Sequence, residues 1–457
     1  MKAAALQQNQ HHLNPRTRKL VTYTLFALIP LALLHYYLLV PYPIPIPAST
    51  SPSHSQSQIH TTLNPSSSSG VLSHDEHDAV LQPPLKELEN VQNQTLPQCD
   101  YSSGQWIPDD RGPLYNGTSC HTIKENQNCM AHGRPDTGYL YWRWRPYGCS
   151  LPQFDPSSFL QIIRNRHVAF IGDSMARNQA ESLMCLLATG SRPELVYRDS
   201  AENRYRRWIF RSHNATFSIY WSPFLVKRIE KSEKTGIRHN RVFLDAFDER
   251  WINDFESMDV ILFSLGHWFL IPGIYYENDQ IIGCHVCPEF NHTEIGFFEV
   301  FQKAVRSTLD EVRRRHVEGG DGQRERLVAV MTFTQAHFEG DWDKAGSCAK
   351  TQPYKEGEVE MEYTTGRMRR TVLDELERMG AHGSRVNGLH FQAVDVTQLA
   401  MLRPDGHPGP YMYPDPFGNG KTGDRVQNDC VHWCMPGPVD TFNEILWQLV
   451  AQTALFS

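Results

Sequence analysis

Short apolar runs alternate with longer amphipathic stretches over the last two-thirds of the chain. The runs Val168–Ile171, Phe217–Trp221, Val260–Ser264, Leu327–Thr332 and Phe391–Val394 are mostly apolar and β-branched or aromatic, the pattern of strands buried on both faces. Between and after them, Ala180–Ala188, Phe297–Arg315, Tyr363–Met379 and Val439–Leu455 have helical composition and spacing. Strands separated by helices predict an α/β domain over residues 152–457: a doubly wound, mainly parallel sheet with helices on both faces. Sites in such sheets form at the carboxyl ends of strands.

The pattern before residue 152 differs. Residues 20–40 contain no charged side chain, and about 20 apolar residues span a bilayer. Arg16, Arg18 and Lys19 precede this run, and Lys86 is the first basic residue of the Lys/Arg type after it. The charge asymmetry predicts a cytoplasmic tail at 1–19, a transmembrane signal-anchor helix at 20–40, and translocation of the remainder. A cleaved signal peptide is the alternative, disfavoured by the length of the run. Residues 41–97 are rich in Pro, Ser, Thr, Gln and His, which predicts a disordered stem. Residues 98–151 hold four cysteines and the aromatic cluster Tyr139–Trp144; so short a segment needs staples or a larger neighbour, so it reads as a small disulfide-tied lobe packed on the domain that follows.

All ten cysteines follow the predicted anchor, as do sequons at Asn93, Asn116, Asn214 and Asn291. Both features fit an oxidising lumen, though spacing leaves the disulfide pairing open. The net charge is −7 and no basic tract stands out, which argues against nucleic acid as a partner.

Two motifs carry candidate chemistry. Gly172-Asp173-Ser174 closes an apolar strand and opens a helix, a turn that holds up a serine nucleophile beside free backbone N–H groups. Asp429 and His432 are spaced i, i+3, and in a helical turn they face the same way. One segment then supplies a general base and the acid that orients it. Ser174, His432 and Asp429 together point to acyl transfer. His407, between Gly406 and Pro408, is a rival base, although its neighbours favour a turn. Cys430 and Cys434 bracket His432, so a disulfide there would fix its loop. Cys284 and Cys287 resemble half a zinc site, but no second pair is suitably spaced; a local disulfide or two free thiols is expected, and no metal. Trp142, Trp144, Trp268 and Trp342 are candidates for stacking on sugar rings, with core packing as the competing reading.

Several blocks resemble the plant trichome birefringence-like family: Cys99-Asp100-Tyr101-Ser102-Ser103-Gly104-Gln105-Trp106, the GDS block from Gly172 to Gln179, Asp405-Gly406-His407-Pro408, and Asp429-Cys430-Val431-His432-Trp433-Cys434. The resemblance covers about residues 98–450. It implies an SGNH/GDSL-like fold and a Golgi-membrane, single-pass type II O-acetyltransferase acting on a hemicellulose, with Ser174 as nucleophile, His432 as base and Asp429 as its partner. It implies an acetyl donor, acetyl-CoA or an acetylated carrier, and no bound cofactor. Where many members have Asn before Thr-Gly-His-Trp, this chain has Ser264 before Leu265-Gly266-His267-Trp268. Ser264 or the Gly266 N–H would then join the Ser174 N–H in the oxyanion hole, and Arg177, His267 and Trp268 are expected to touch substrate. The Ser-Leu-Gly-His-Trp-Phe form, followed by Gly283-Cys284-His285-Val286-Cys287, is similar to the xyloglucan- and mannan-acetylating branch. An acetylesterase with the same triad, a xylan or mannan acceptor, and a non-catalytic wall-polysaccharide binding protein are the alternatives.

Overall fold

The computed structural model describes residues 99–199, 203–319, 324–340, 346–380, 388–418 and 426–453. The expected tail, anchor and stem, the sequon at Asn93 and Trp342 lie outside them. Among the described residues, no helix is long and apolar enough to cross a membrane.

The described residues begin with an antiparallel pair, β1 (Gly104–Pro108) and β2 (Trp142–Pro146). Next come α1 (Pro156–Ile162), β3 (His167–Gly172), α2 (Ser174–Ala188), β4 (Glu194–Arg198), β5 (Tyr205–Phe210) and β6 (Ala215–Trp221). They are followed by β7 (Val226–Ile229), β8 (Asn240–Phe247), α3 (Glu249–Ile252), β9 (Val260–Ser264), β10 (Gly273–Glu277) and β11 (Gln280–His285). The last are α4 (Phe298–Glu318), β12 (Arg326–Met331), α5 (Tyr363–Arg378), β13 (Leu389–Val394), α6 (Thr397–Met401) and α7 (Pro438–Gln452).

Seven strands form the main sheet, in the order β13-β12-β9-β3-β6-β5-β4. The first five are parallel, and β5 and β4 extend the sheet antiparallel. Numbered by appearance, the parallel strands run 2-1-3-4-5, so the strand order reverses between β3 and β9. That reversal opens a crevice beyond their carboxyl ends. Side chains alternate across the sheet. Val168 and Phe170 pack with Leu183 of α2 and Phe442 of α7, whereas Ala169 and Ile171 pack with Phe301 of α4 and Met368 of α5. Each face thus buries a helical layer, which is why these strands are apolar along their whole length.

The five apolar runs are the parallel strands. The additional strands carry charge or lie at edges: all of β4 is exposed, and β8 alternates buried and exposed positions. Strands β11-β10-β8-β7 form a second, four-stranded sheet. Helix α2 begins at Ser174, six residues before the sequence-based start, because the Asp173 side chain accepts from the Met175 N–H at 2.9 Å and caps it.

The lobe is sewn to the main domain. Trp106 Nε1 donates to the Leu399 carbonyl (2.9 Å), and Tyr115 Oη donates to Asp440 (2.7 Å). Disulfides Cys120–Cys185 and Cys129–Cys434 cross between the two parts, and Cys99–Cys149 closes the lobe on itself. Trp144, considered for sugar stacking, is 1% exposed and donates its indole N–H to the Tyr101 carbonyl. It is a core residue. Cys284 and Cys287 form a local disulfide, and Cys348 pairs with Cys430.

Candidate active site

Ser174 opens α2 at the carboxyl end of β3, beside the crevice. The turn that presents it depends on a close approach. Gly172 has φ +156°, and a Cβ there would lie 1.7 Å from the Ser264 carbonyl oxygen of β9. The next residue, Asp173, donates its N–H to that same carbonyl (3.1 Å). Its carboxylate is 1% exposed and accepts from the N–H groups of Met175 and Gly266 (2.9 and 3.1 Å). Burial pushes its pKa up to about 6, against the pull of those N–H groups and of His432.

Asp429 and His432 meet as expected, but not on a helix. They lie in an irregular loop where Asp429 Oδ1 accepts from the N–H groups of both Val431 and His432 (3.1 and 3.0 Å). This side-chain-to-backbone turn replaces the helical turn and brings the imidazole back over the acid. Asp429 Oδ2 is 2.8 Å from His432 Nδ1. Burial works against the Asp429 carboxylate, yet the His432 ring and the two backbone donors outweigh it and hold its pKa well below the usual carboxylate range. His432 Nδ1–H donates to this carboxylate, so Nε2 is the basic nitrogen; it is shielded from solvent and bonded to no described group. Hydrogen bonds between nucleophile and base are often long before substrate arrives.

Three tethers fix this loop. Cys430 is bridged to Cys348 and Cys434 to Cys129, so each cysteine flanking His432 is tied to a different segment. The third is Asn178, one helical turn beyond Ser174. It is fully buried, its Oδ1 accepts from the Trp433 N–H (2.8 Å), and its Nδ2 donates to the Trp433 carbonyl (3.2 Å). The residue after His432 is therefore clamped to the helix that Ser174 begins. Asn178 was missed as a functional residue, although its i+4 spacing from Ser174 places it on the same helix face.

Two of the three expected oxyanion donors are otherwise engaged. The Gly266 N–H points at Asp173, and the buried Ser264 hydroxyl faces Met331 Sδ (3.9 Å) across the sheet. The Ser174 N–H, at the first position of α2, has no acceptor within the helix. Both ring nitrogens of His407, the rival base, are engaged, by the His432 carbonyl oxygen and by His337 Nδ1. His407 is 2% exposed and lies behind the loop, with Nδ1 donating to the His432 carbonyl (2.8 Å).

Arg177 lies over the Trp221 ring (5.3 Å), and Trp221 meets Trp268 edge-on (5.3 Å). Burial lowers the Arg177 pKa, and its Nε is buried with no hydrogen-bond partner among the described residues. His267 packs on Phe333; burial and the nearby His432 hold its pKa down at about 3, so the ring is neutral. Lys124, from the lobe, is also lowered by burial and by Arg177. Arg177 thus stands one turn along α2 from Ser174, His267 lies near His432, and Trp268 joins Arg177 through Trp221; Trp221 and Lys124 had no sequence signal. Beyond the loop, a cleft of about 460 Å³ is lined by Asn428, Tyr411, Phe417 and Lys350, a size suited to small-ligand binding.

Residues 151–449 match the GDSL/SGNH-like acyl-esterase family found in Pmr5 and Cas1p, and residues 97–150 match the PMR5 N-terminal domain. The chain is 51% identical over 433 residues to Xyloglucan O-acetyltransferase 1 of Populus trichocarpa, covering 95% of this chain and 93% of that protein. It is 46% identical over 443 residues to Xyloglucan O-acetyltransferase 1 of Arabidopsis thaliana (97% and 98%), and 40% identical over 366 residues to Protein trichome birefringence-like 26 of the same plant (80% of each). A serine raised at the switch point of a 2-1-3-4-5 sheet, an Asp–His pair clamped to its helix and near-full-length similarity to these proteins place the chain in the GDSL/SGNH-like acyl-esterase family found in Pmr5 and Cas1p.

Proposed function

We propose that this protein is an O-acetyltransferase that transfers acetyl groups to hydroxyls of xyloglucan through a Ser174–His432–Asp429 triad. The observation that carries the reading is the 2.8 Å Asp429–His432 hydrogen bond on a loop clamped by Asn178 to the Ser174 helix. His432 Nε2 removes the Ser174 hydroxyl proton, and Asp429 holds the tautomer and stabilises the imidazolium. Ser174 Oγ attacks the acetyl carbonyl, the leaving group departs with the proton from His432, and acetyl-serine remains. A sugar hydroxyl then attacks the acetyl-serine. His432 takes the hydroxyl's proton and returns it to Ser174 as the acetylated sugar leaves. The Ser174 N–H faces the developing oxyanion at a helix N-terminus, where one donor is worth about 3–4 kcal/mol of barrier.

The relatives' printed name supports xyloglucan as acceptor. Arg177, His267 and Trp268 bind substrate beside Ser174; the donor is acetyl-CoA or an acetylated carrier. The enzyme is held in the Golgi membrane by residues 20–40, with its catalytic domain in the lumen. Asn116, Asn214 and Asn291 are exposed there as glycosylation sites.

The test incubates full-length protein with an acetyl donor and xyloglucan oligosaccharides. Wild type adds acetyl mass to the oligosaccharide, and Ser174→Ala stays folded without forming acetyl-enzyme. Transfer at the wild-type rate by Ser174→Ala ends the nucleophile assignment; release of acetate with no mass gain makes the protein an esterase instead.

A further inference from the structure

We propose that the buried histidines His337 and His407 share a single proton, and that this proton bridge positions the loop carrying His432. The importance for catalysis rests on the function proposed above; the proton count does not.

The count follows from three contacts. His337 Nε2 lies 2.8 Å from the Met401 carbonyl oxygen, and His407 Nδ1 lies 2.8 Å from the His432 carbonyl oxygen. Carbonyl oxygens only accept, so both of these nitrogens carry protons. The remaining two nitrogens, His337 Nδ1 and His407 Nε2, are 2.7 Å apart. Two neutral rings have no proton left for that contact, and two lone pairs would face each other. A third proton on the four nitrogens satisfies every contact at once, as one imidazole bonded to one imidazolium.

The surroundings admit one charge and oppose two. The rings are 9% and 2% exposed, and burial lowers the pKa of each, His407 more strongly because His337 stands beside it. A second charge would meet both penalties. For a single charge, Trp433 offers its ring face to His407 at 4.3 Å. Of the other charged groups here, Asp405 favours a charge on His337 and Arg134 opposes one on His407. Arg403 pairs with Asp405 in the core, and Arg134 of the lobe pairs with Asp136 while donating to the His407 carbonyl (2.8 Å). Asp429, held by His432, adds a favourable negative charge.

The two bridged residues grip the loop carrying His432 at two points, one through the His337 backbone and one through the His407 ring. The backbone N–H of His337 donates to the Cys430 carbonyl (3.0 Å), and the His407 ring Nδ1–H donates to the carbonyl of His432. Asp429 and His432 sit on the span these bonds define. When the shared proton leaves, the facing lone pairs repel, one of the three contacts opens, and the span loses an anchor.

The experiment labels the histidines of the full chain with ¹⁵N and records imidazole nitrogen–proton correlations over about pH 5 to 8. The pair's signals are assigned by their change in His337→Asn, whose amide nitrogen replaces Nδ1 and donates a fixed N–H to His407. Expected are three protonated nitrogens in the pair at acid pH and the loss of one proton, felt by both rings together, as pH rises. Acetyl transfer by wild type declines over that same step, and in His337→Asn this decline shifts by about one pH unit or vanishes. Two protons on the pair across the whole range overturn the bridge on wild-type protein alone. An unmoved pH limb in His337→Asn overturns its link to the base. Absence of any transfer by wild type strikes the functional reading and leaves the proton count to the spectrum.

Discussion

Replacing Asn178 by Ala tests whether one side chain holds the nucleophile helix and the base loop in register. Asn178 is fully buried and makes three bonds: it accepts from the Trp433 N–H and donates to the Trp433 carbonyl and to Gln127 Oε1 (2.8, 3.2 and 3.3 Å). Alanine leaves the N–H and carbonyl of Trp433 without their partner in a site water does not reach. Each orphaned buried group costs about 1–3 kcal/mol; the N–H bond is short and its donor has no alternative, whereas a carbonyl keeps a second lone pair, so about 2–4 kcal/mol in total is expected. That is a large part of an ordinary domain's 5–15 kcal/mol, yet leaves the protein folded in buffer. The measurement is urea unfolding followed by tryptophan fluorescence, with an unchanged dependence on denaturant. In buffer, a serine-directed fluorophosphonate should label Ser174 at least about tenfold more slowly, because a displacement near 1 Å between reacting groups costs about 100-fold. A variant destabilised by less than about 1 kcal/mol that labels at the wild-type rate refutes the clamp.

Asp173 gives a pH prediction. Its folded-state pKa is raised from 3.8 to about 6, so between these values the folded protein binds more protons than the unfolded chain, and stability falls as pH rises through that window. Asp173→Asn lacks this slope; a wild-type-minus-variant difference in denaturation free energy that stays constant from about pH 4 to 6 excludes the assignment. Gly172→Ala drives a Cβ to 1.7 Å from the Ser264 carbonyl, and soluble, cooperatively unfolding protein should not accumulate; normal yield and melting behaviour would show that β3 and β9 do not approach as described. Removing the Cys129–Cys434 pair as alanines should cost about 2–5 kcal/mol and slow Ser174 labelling, whereas removing Cys284–Cys287, which closes a loop of only three residues against 305, should cost about a third as much and leave labelling unchanged. Calorimetry and labelling rates on both double variants check the contrast.

The parallel core was legible in the sequence because strands buried on both faces must be apolar throughout. Val168–Ile171 and Val260–Ser264 could be nothing else. Strands such as β4 and β7 were not legible, because a residue series like Glu194-Leu195-Val196-Tyr197-Arg198 at a sheet edge meets water and carries no buried pattern. Ser174, Asp429 and His432 were singled out because their spacing and local context are chemical signals, and of these the structure brings Asp429 and His432 into contact. The helical turn expected for the Asp–His pair was wrong, since the short Asp429 side chain captures two backbone N–H groups that a helix would use otherwise. The availability of Gly266 was misjudged for a similar reason: its N–H is claimed by Asp173, a residue 93 positions earlier.

By itself the sequence determined where the buried parallel strands and the helices that cover them lie and which side chains carry reactive groups, because periodicity and residue chemistry are local properties. Only the tertiary structure decided which cysteines join, that Asn178 ties two distant segments, and that His407 holds the backbone carbonyl of His432. Those outcomes depend on which segments the folded sheet brings together, and no local pattern encodes contacts between residues hundreds of positions apart.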